Sequence, residues 1–138
     1  MAVSFHFQSP TRLPARRKLK QFIQEMILEE GKVPGSLGII FCSDEYLLEM
    51  NRQYLNHDYY TDIITFDLGK GTIEGELYIS VDRVKDNAIN MDVPYLDELQ
   101  RVIFHGVLHL CGYKDKKQSD ILVMRKLEDK YLGMFRKV

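Results

Sequence analysis

The sequence predicts an α+β fold, with a mixed sheet of about four strands covered by about five helices. Three features of the chain favour this fold class. The chain opens with a strand, a helix and a strand, an order that favours a right-handed crossover between two parallel strands. Two later β segments flank the turn Gly69-Lys70-Gly71 and are predicted to pair as a hairpin. The remaining segments have helical periodicity, which predicts the covering helices.

The first half of the chain is predicted to contain two strands and two helices. Residues 3–7 (VSFHF) alternate apolar and polar side chains, as a half-buried strand does. Pro14 opens a helix with a buried apolar stripe, and Gly31 is its stop signal. Residues 37–42 (LGIIFC) form a short apolar run typical of a buried strand. Ser43 then caps a second helix.

The second half is predicted to contain the hairpin and three helices, after a polar and aromatic loop. Pro94 supplies the fixed φ that suits a helix start, and Gly133 is the predicted stop of the last helix. In chain order the predicted segments are the loop at 55–61, strands at 62–68 and 74–81, a helix near 82–90, a long helix from 94 and a helix at roughly 119–132.

Composition fits a single globular domain spanning residues 1–138. The formal net charge of −1 excludes a global basic field, although basic residues cluster at 12–20 and 114–117. Each cluster is either a local basic patch that could bind nucleic acid or simply a solvated face. Cys42 and Cys111 have no CxxC spacing, which predicts a reduced cytosolic protein. No apolar run approaches the roughly 18 residues of a membrane span.

The segment from His105 to Asp115 (HGVLHLCGYKD) predicts a metal site. On a helix, His105 and His109 share one face and can direct two imidazoles at one ion. Gly112 can adopt the left-handed conformation that ends the helix, after which Asp115 can return as a third ligand. Three protein ligands with an open fourth position are typical of catalytic zinc. The alternatives are a structural histidine pair and an aspartate that pairs with a neighbouring lysine.

A metal in this setting can polarise a phosphoryl or carbonyl oxygen and can lower the pKa of bound water toward ~7. Two imidazoles and a carboxylate also hold iron, but no redox feature accompanies the segment, so zinc is favoured. In the peptidase pattern HExxH a glutamate follows the first histidine as general base, and that position is Gly106 here. This glycine disfavours a peptidase. Asp120 is a substitute ligand or, as we favour, the cap of the last helix.

A second candidate site is the loop that follows the second predicted helix. Arg52, His57 and Tyr59 lie in or beside it and are candidate substrate-binding residues. Such side chains stack on unpaired bases and hydrogen-bond to phosphate. The alternative is a polar loop whose tyrosines pack on the domain, and the residues alone slightly favour that alternative.

The run HGVLHLCGYKD resembles the HGxLHLxGYDH signature of the YbeY family, the bacterial rRNA maturation factors. Three other segments match the family in the same order: residues 48–54 with Asn51, TDIITF at 61–66, which is similar to TDVLSF, and GELYIS at 75–80, which is similar to GDIxIS. The resemblance covers nearly the whole chain. It implies a single-strand-specific, metal-dependent endoribonuclease that acts in rRNA maturation, at the small-subunit 3′ end, and in ribosome quality control.

The resemblance also implies a cytoplasmic protein with single-stranded RNA, rRNA and the small ribosomal subunit as partners, and no membrane. It implies one Zn²⁺ per chain, bound by His105, His109 and Asp115, which act in catalysis through metal-activated water. Two positions depart from the family. Asp115 replaces a third histidine and adds a negative charge that makes bound water less acidic. Leu55 replaces a common arginine, so any phosphate clamp passes to Arg52 or His57 or is absent.

Two other functions compete with this interpretation. One is a ribosome-associated binding factor whose metal ties the last helices together, which Leu55 favours together with Lys114, a lysine where the family usually has aspartate. The other is a different zinc hydrolase, such as a metallopeptidase, which the histidine spacing favours and Gly106 disfavours.

Overall fold

The computed structural model describes residues 2–138, which form four strands and five helices. In chain order the elements are β1 (Val3–Phe7), α1 (Arg16–Glu29), β2 (Pro34–Cys42), α2 (Asp44–Leu55), β3 (Ile63–Asp67), β4 (Ile73–Ser80), α3 (Val81–Met91), α4 (Tyr95–Leu110) and α5 (Gln118–Arg136). The predicted α+β class, with a mixed sheet of four strands and five helices, is confirmed.

The sheet is open, with strand order β1-β2-β4-β3. The two pairs β1/β2 and β2/β4 are parallel, and β3/β4 is antiparallel. The first parallel pair is the predicted crossover pair, joined by α1. The antiparallel pair is the predicted hairpin, and Gly71 in its turn has a φ of 86°, which only glycine adopts without strain.

The two faces of the sheet carry different layers, because side chains alternate along each strand. On one face, Leu77 and Ile79 of β4 join the main core with residues of α1, α4 and α5. On the other, Ile64 of β3 packs with Leu47 and Met50 of α2 in a smaller cluster. We call these the α4 face and the α2 face. Most of the buried apolar surface lies on the α4 face.

Helix α5 extends beyond its predicted end, so the predicted stop at Gly133 is wrong. Glycine inside a helix costs about 1 kcal/mol relative to alanine, which makes it a weak stop signal. Here Leu132 and Phe135 are buried, and the Phe135 ring lies 5.1 Å from that of Phe22 on α1. Burial of such side chains contributes about 1.5–3 kcal/mol each, which outweighs the glycine penalty.

Both cysteines are free and buried. Burial raises the pKa of Cys42 to about 12 and that of Cys111 to about 11, so both thiols stay protonated at neutral pH. Within residues 2–138, no helix has both the length and the apolar character that crossing a bilayer requires.

Candidate metal centre

The structure brings together the three predicted ligands. Asp115 Oδ2 lies 3.3 Å from His105 Nε2 and 3.4 Å from His109 Nε2. One donor atom from each residue lies within 4.8 Å of the others, so the set could hold a metal ion. Asp115 therefore faces the histidines, and the described part of the chain shows no ion pair between it and the neighbouring lysines.

The turn after α4 places Asp115 at the histidines. Gly112 has a φ of 110°, in the left-handed region that favours glycine. Its N–H donates to the carbonyl of His109 at 3.0 Å, and the N–H of Tyr113 donates to the carbonyl of Leu108 at 3.1 Å. These bonds satisfy carbonyls at the helix end and reverse the chain. The predicted role of Gly112 is confirmed.

Each imidazole is oriented by an acceptor at its other nitrogen. His105 Nδ1 lies 2.7 Å from Glu128 Oε2, and His109 Nδ1 lies 2.8 Å from the carbonyl oxygen of Tyr113. Carboxylate and carbonyl oxygens only accept hydrogen bonds, which assigns the proton of each neutral ring to Nδ1. Both Nε2 atoms are then free to bind a metal, as in carboxylate–histidine–metal arrangements.

Glu128 is itself held by two arginines. It is only 4% exposed, and its Oε1 lies 3.1 Å from Arg101 Nη1 and 3.4 Å from Arg125 Nη1. Arg101 also bonds Asp129 at 2.8 Å. A buried carboxylate with charged partners is costly to move, so Glu128 fixes the ring of His105 from helix α5.

The pKa of His105 results from opposing effects. Burial lowers it, but the hydrogen bond and charge of Glu128, with the charges of Asp115 and Asp62, outweigh burial and raise the pKa overall. Metal binding requires the neutral imidazole, so a bound metal must displace the proton that this environment stabilises.

Two cavities open beside the three donors. One, of about 280 Å³, lies between α4 and α5 and is lined by Glu98, Arg101 and Arg125. The other, of about 220 Å³, lies against β3 and is lined by Leu55 and Thr65. Asp62, His105 and Asp115 line both cavities. His105 and Asp115 are therefore accessible from two sides, and His109 is accessible from the side of the smaller cavity.

Two further carboxyl groups at these cavities have raised pKa values. Burial, together with the charge of Asp62, raises the pKa of Glu98 to about 7, although Arg101 opposes the shift. Glu98 Oε1 is buried without a hydrogen-bond partner, and Arg101 Nε is 3.9 Å away. Burial also raises the pKa of Asp62. Both groups hold a proton to a higher pH than exposed carboxyl groups do.

The three predicted substrate-binding residues are not among the residues that line these cavities. Arg52 is paired with Asp58 at 2.5 Å. His57 stacks on Tyr59 with ring centroids 5.1 Å apart, and the Tyr59 hydroxyl lies 2.9 Å from His57 Nδ1. None of the three lines either cavity, whereas Leu55, at the family's arginine position, lines the cavity at β3.

Position 106 faces the sheet and not the candidate ligands. A Cβ atom on Gly106 would lie 2.7 Å from Ile63 Cδ1 and 2.9 Å from Leu77 Cδ1. A glutamate there would enter the core of the α4 face, so the base of an HExxH peptidase has no room at this position. Asp120 caps α5 by accepting from the Lys117 N–H at 3.4 Å, as favoured from the sequence.

Sequence reasoning missed Glu98 and Glu128. Both are charged residues on buried helix stripes: Glu98 precedes His105 by two turns of α4, and Glu128 follows the buried Met124 by one turn of α5. A charge at an apolar position was the available signal. This signal could not predict that Glu128 contacts His105, because His105 lies on another helix.

The fold and the site define an α+β protein in which two imidazoles and one carboxylate could hold a metal ion. This set of donors suits zinc or iron.

The comparisons place the chain in one family. The family model for Endoribonuclease YbeY matches residues 6–136, so the chain belongs to the YbeY endoribonuclease family, which confirms the resemblance. Relatives named Endoribonuclease YbeY include those of Flavobacterium psychrophilum, 46% identical over 96% of each chain, and Bacteroides thetaiotaomicron, 45% identical over 97% of this chain and 99% of that one.

A solved structure has the same fold. The solution structure of TM1509 from Thermotoga maritima aligns with a TM-score of 0.64 and 26% identity, over 99% of this chain and 93% of that chain.

Proposed function

We propose that residues 1–138 act as one single-strand-specific, metal-dependent endoribonuclease domain. The proposed role is rRNA maturation at the small-subunit 3′ end, and ribosome quality control, in the cytoplasm. The observation that carries this proposal is the position of Asp115 Oδ2, 3.3–3.4 Å from both Nε2 atoms, in a chain of the YbeY endoribonuclease family. Relatives named Endoribonuclease YbeY support an RNA substrate.

His105, His109 and Asp115 would hold the metal, with Zn²⁺ as the favoured ion. When bound, the metal would supply a Lewis acid for the phosphoryl oxygen and an activated water. Glu128 and the Tyr113 carbonyl accept hydrogen bonds from the two Nδ1 atoms, which would leave both Nε2 atoms available to hold the ion. The negative charge of Asp115 offsets part of the metal charge that a histidine would leave intact.

Proton transfer in this proposal falls to Asp62. It lines both cavities beside the three donors, and its pKa is raised by burial. A carboxyl group with a raised pKa is a stronger base than an exposed one, which suits it to take a proton from the attacking water and return one to the leaving oxygen. Cavities of this size favour unstacked nucleotides over a duplex, which supports the proposed single-strand specificity.

Phosphate binding is assigned to cations around the two cavities. Arg125 lines the larger cavity, its side chain is 55% exposed, and its only ion-pair partner in residues 2–138 is Glu128. Arg52, His57 and Tyr59 are proposed to contact the RNA farther along its path. Leu55 lines the smaller cavity at the position where the family commonly has arginine. We therefore expect weaker phosphate binding there than an arginine would provide.

The test is the His109→Ala variant. We expect loss of stoichiometric metal and of single-stranded RNA cleavage, because two donors cannot complete the site. His6→Ala is the matched control, since His6 is exposed on β1 and is bonded to Ser4 at 3.0 Å. Cleavage by metal-free His109→Ala protein at the wild-type rate would overturn the proposal.

A second candidate function is a ribosome-associated factor with a structural metal. It is favoured by the bond between His105 of α4 and Glu128 of α5, through which a metal would tie the two helices together. It predicts that chelator lowers the melting temperature strongly while the wild-type protein cleaves no RNA. RNA cleavage that requires the metal would exclude it.

A further inference from the structure

The α2 face of the sheet contains an open groove that the endoribonuclease function does not use. The groove has a volume of about 350 Å³, larger than either cavity beside the candidate ligands. It lies between α2 and the hairpin, on the opposite side of the sheet from His105 and His109. Its walls combine four aromatic rings and two carboxylates: Tyr46, Tyr54, Phe66, Tyr78, Glu49 and Glu76.

The four rings form a connected aromatic surface. Tyr46 stacks on Tyr78 with ring centroids 6.5 Å apart. Phe66 makes edge contacts with Tyr54 at 6.1 Å and with Tyr78 at 5.7 Å. Tyr54 is 62% exposed, so part of this surface is open to solvent. Aromatic faces carry negative quadrupole charge, which attracts cations.

The carboxylates add a formal negative charge to the same groove. Glu76 accepts a hydrogen bond from the Tyr78 hydroxyl at 3.2 Å. Glu49 has Arg52 as its cation, at 3.9 Å, but Arg52 is bonded more closely to Asp58 at 2.5 Å and both pairs are exposed. Within the described residues, no lysine or arginine lines the groove. The groove therefore presents aromatic faces together with Glu76, which has no ion pair within residues 2–138, and Glu49, whose ion pair with Arg52 is long and exposed.

We propose that this groove is a docking site for a protein partner, which inserts an arginine side chain between the aromatic rings and the two glutamates. A planar guanidinium stacks on tyrosine rings and bonds carboxylates in one geometry, which favours arginine over lysine. The charges complement such a partner and repel RNA phosphates. Because the groove and the candidate metal centre lie on opposite faces, both can be occupied at once. This inference does not depend on the proposed function.

The direct test uses a short glycine–serine peptide with spaced arginines, and the same peptide with citrulline at each arginine. Citrulline keeps the planar shape and removes the charge. We expect the arginine peptide to shift the backbone NMR signals of α2 and the hairpin. We expect it to bind at least about twofold more tightly than the citrulline peptide, which corresponds to the lower end of cation–π energies. Equal affinity for both peptides would overturn the proposal.

Charge-matched variants locate the binding. The pair Glu49→Gln and Glu76→Gln removes both carboxylates and preserves an acceptor for Tyr78, so the protein should fold. Glu25→Gln with Glu29→Gln on exposed positions of α1 changes the net charge equally. We expect the first pair to weaken arginine-peptide binding and the second to leave it unchanged. Equal weakening of binding in both pairs would indicate general charge attraction and would contradict binding of arginine in the groove.

A third comparison separates a protein partner from RNA, since aromatic surfaces also stack on bases. Tyr54→Leu keeps an apolar side chain and removes a ring. We expect it to weaken binding of the arginine peptide and to leave the affinity for a single-stranded oligoribonucleotide unchanged. Weaker RNA binding in Tyr54→Leu, with tighter RNA binding in the glutamine pair, would assign the groove to RNA and overturn the proposal.

Discussion

The α4 face and the α2 face of the sheet differ in how deeply their charged side chains are buried. On the α4 face, Glu98 and Glu128 are each 4% exposed and lie among arginines beside the candidate ligands. On the α2 face, Glu49 and Glu76 line an open groove, where water screens them. Buried charges fix geometry because moving them is costly, whereas exposed charges adapt to a ligand. The α4 face should therefore respond to single changes far more than the α2 face.

The largest expected effect concerns Glu98. Between the ordinary carboxyl pKa of 4.5 and about 7, the folded protein keeps a proton that the unfolded chain has released. The unfolding free energy contributed by this group therefore falls as pH rises through that window. The glutamine of Glu98→Gln stays neutral at every pH. The variant should therefore keep the unfolding free energy, on the order of 3 kcal/mol, that the wild type loses across this window.

Urea unfolding at about pH 5 and about pH 8 measures this effect as the difference between variant and wild type. Asp62, Glu128, Arg101 and Arg125 also face Glu98, but the comparison holds them constant. Glu25→Gln, on an exposed position of α1, is the control and should follow the wild type. An unchanged pH dependence in Glu98→Gln would contradict the buried, protonated state.

The next effect concerns Glu128. Glu128→Gln removes the charge that orients His105, and changes of this kind lower metal affinity by about 10–100-fold. The control is Asp129→Asn, which loses a bond to the same Arg101 at 2.8 Å without touching the histidine. Zinc titration calorimetry measures both. Equal affinities in the two variants would show that the His105 contact does not position the ligand.

Two leucines provide the most direct comparison between the faces. One lines a cavity beside the candidate ligands, and the other lines the groove of the α2 face. Leu55→Arg places a cation in the cavity beside the candidate ligands, and should lower the KM for single-stranded RNA by about tenfold, the strength of one charged hydrogen bond. Leu68→Arg places the same cation in the groove of the α2 face and should leave KM unchanged. Steady-state cleavage of a short oligoribonucleotide gives both values. An equal decrease in KM would show that any added cation suffices.

The smallest effect compares two helical glycines. Gly106→Ala forces a Cβ to within 2.7 Å of Ile63 Cδ1, and such overpacking costs about 1–3 kcal/mol. The better helix propensity of alanine offsets about 1 kcal/mol of this, so a net loss of about 1 kcal/mol is expected. Gly133→Ala meets no atom within 4 Å and should gain up to about 1 kcal/mol. Urea unfolding that gives the same sign for both would contradict the packing described for Gly106.

The sequence predicted the fold where local pattern and burial agree. Alternation in residues 3–7 and the glycine turn of the hairpin gave the strands, because each pattern fits one sheet arrangement. The start of β2 at Pro34 and the end of α5 at Arg136 were not predicted. Both depend on tertiary contacts, such as the packing of Phe135 on Phe22, which local signals do not encode.

The residues of the candidate site were likewise predicted only where they lie close together in the sequence. His105, His109, Gly112 and Asp115 lie within one helix and its turn, so their spacing was sufficient to predict their meeting. Glu128 reaches His105 from another helix, and no periodic signal joins the two. The groove of the α2 face was also missed, because its residues come from α2, β3 and β4.

The central claim is that His105, His109 and Asp115 bind one metal ion. Anomalous scattering from crystals grown with zinc tests it most directly. We expect one peak about 2.0–2.2 Å from both Nε2 atoms and from a carboxylate oxygen of Asp115, and no such peak in His109→Ala crystals. A zinc peak elsewhere, or one at the histidines with Asp115 turned away, would contradict this account.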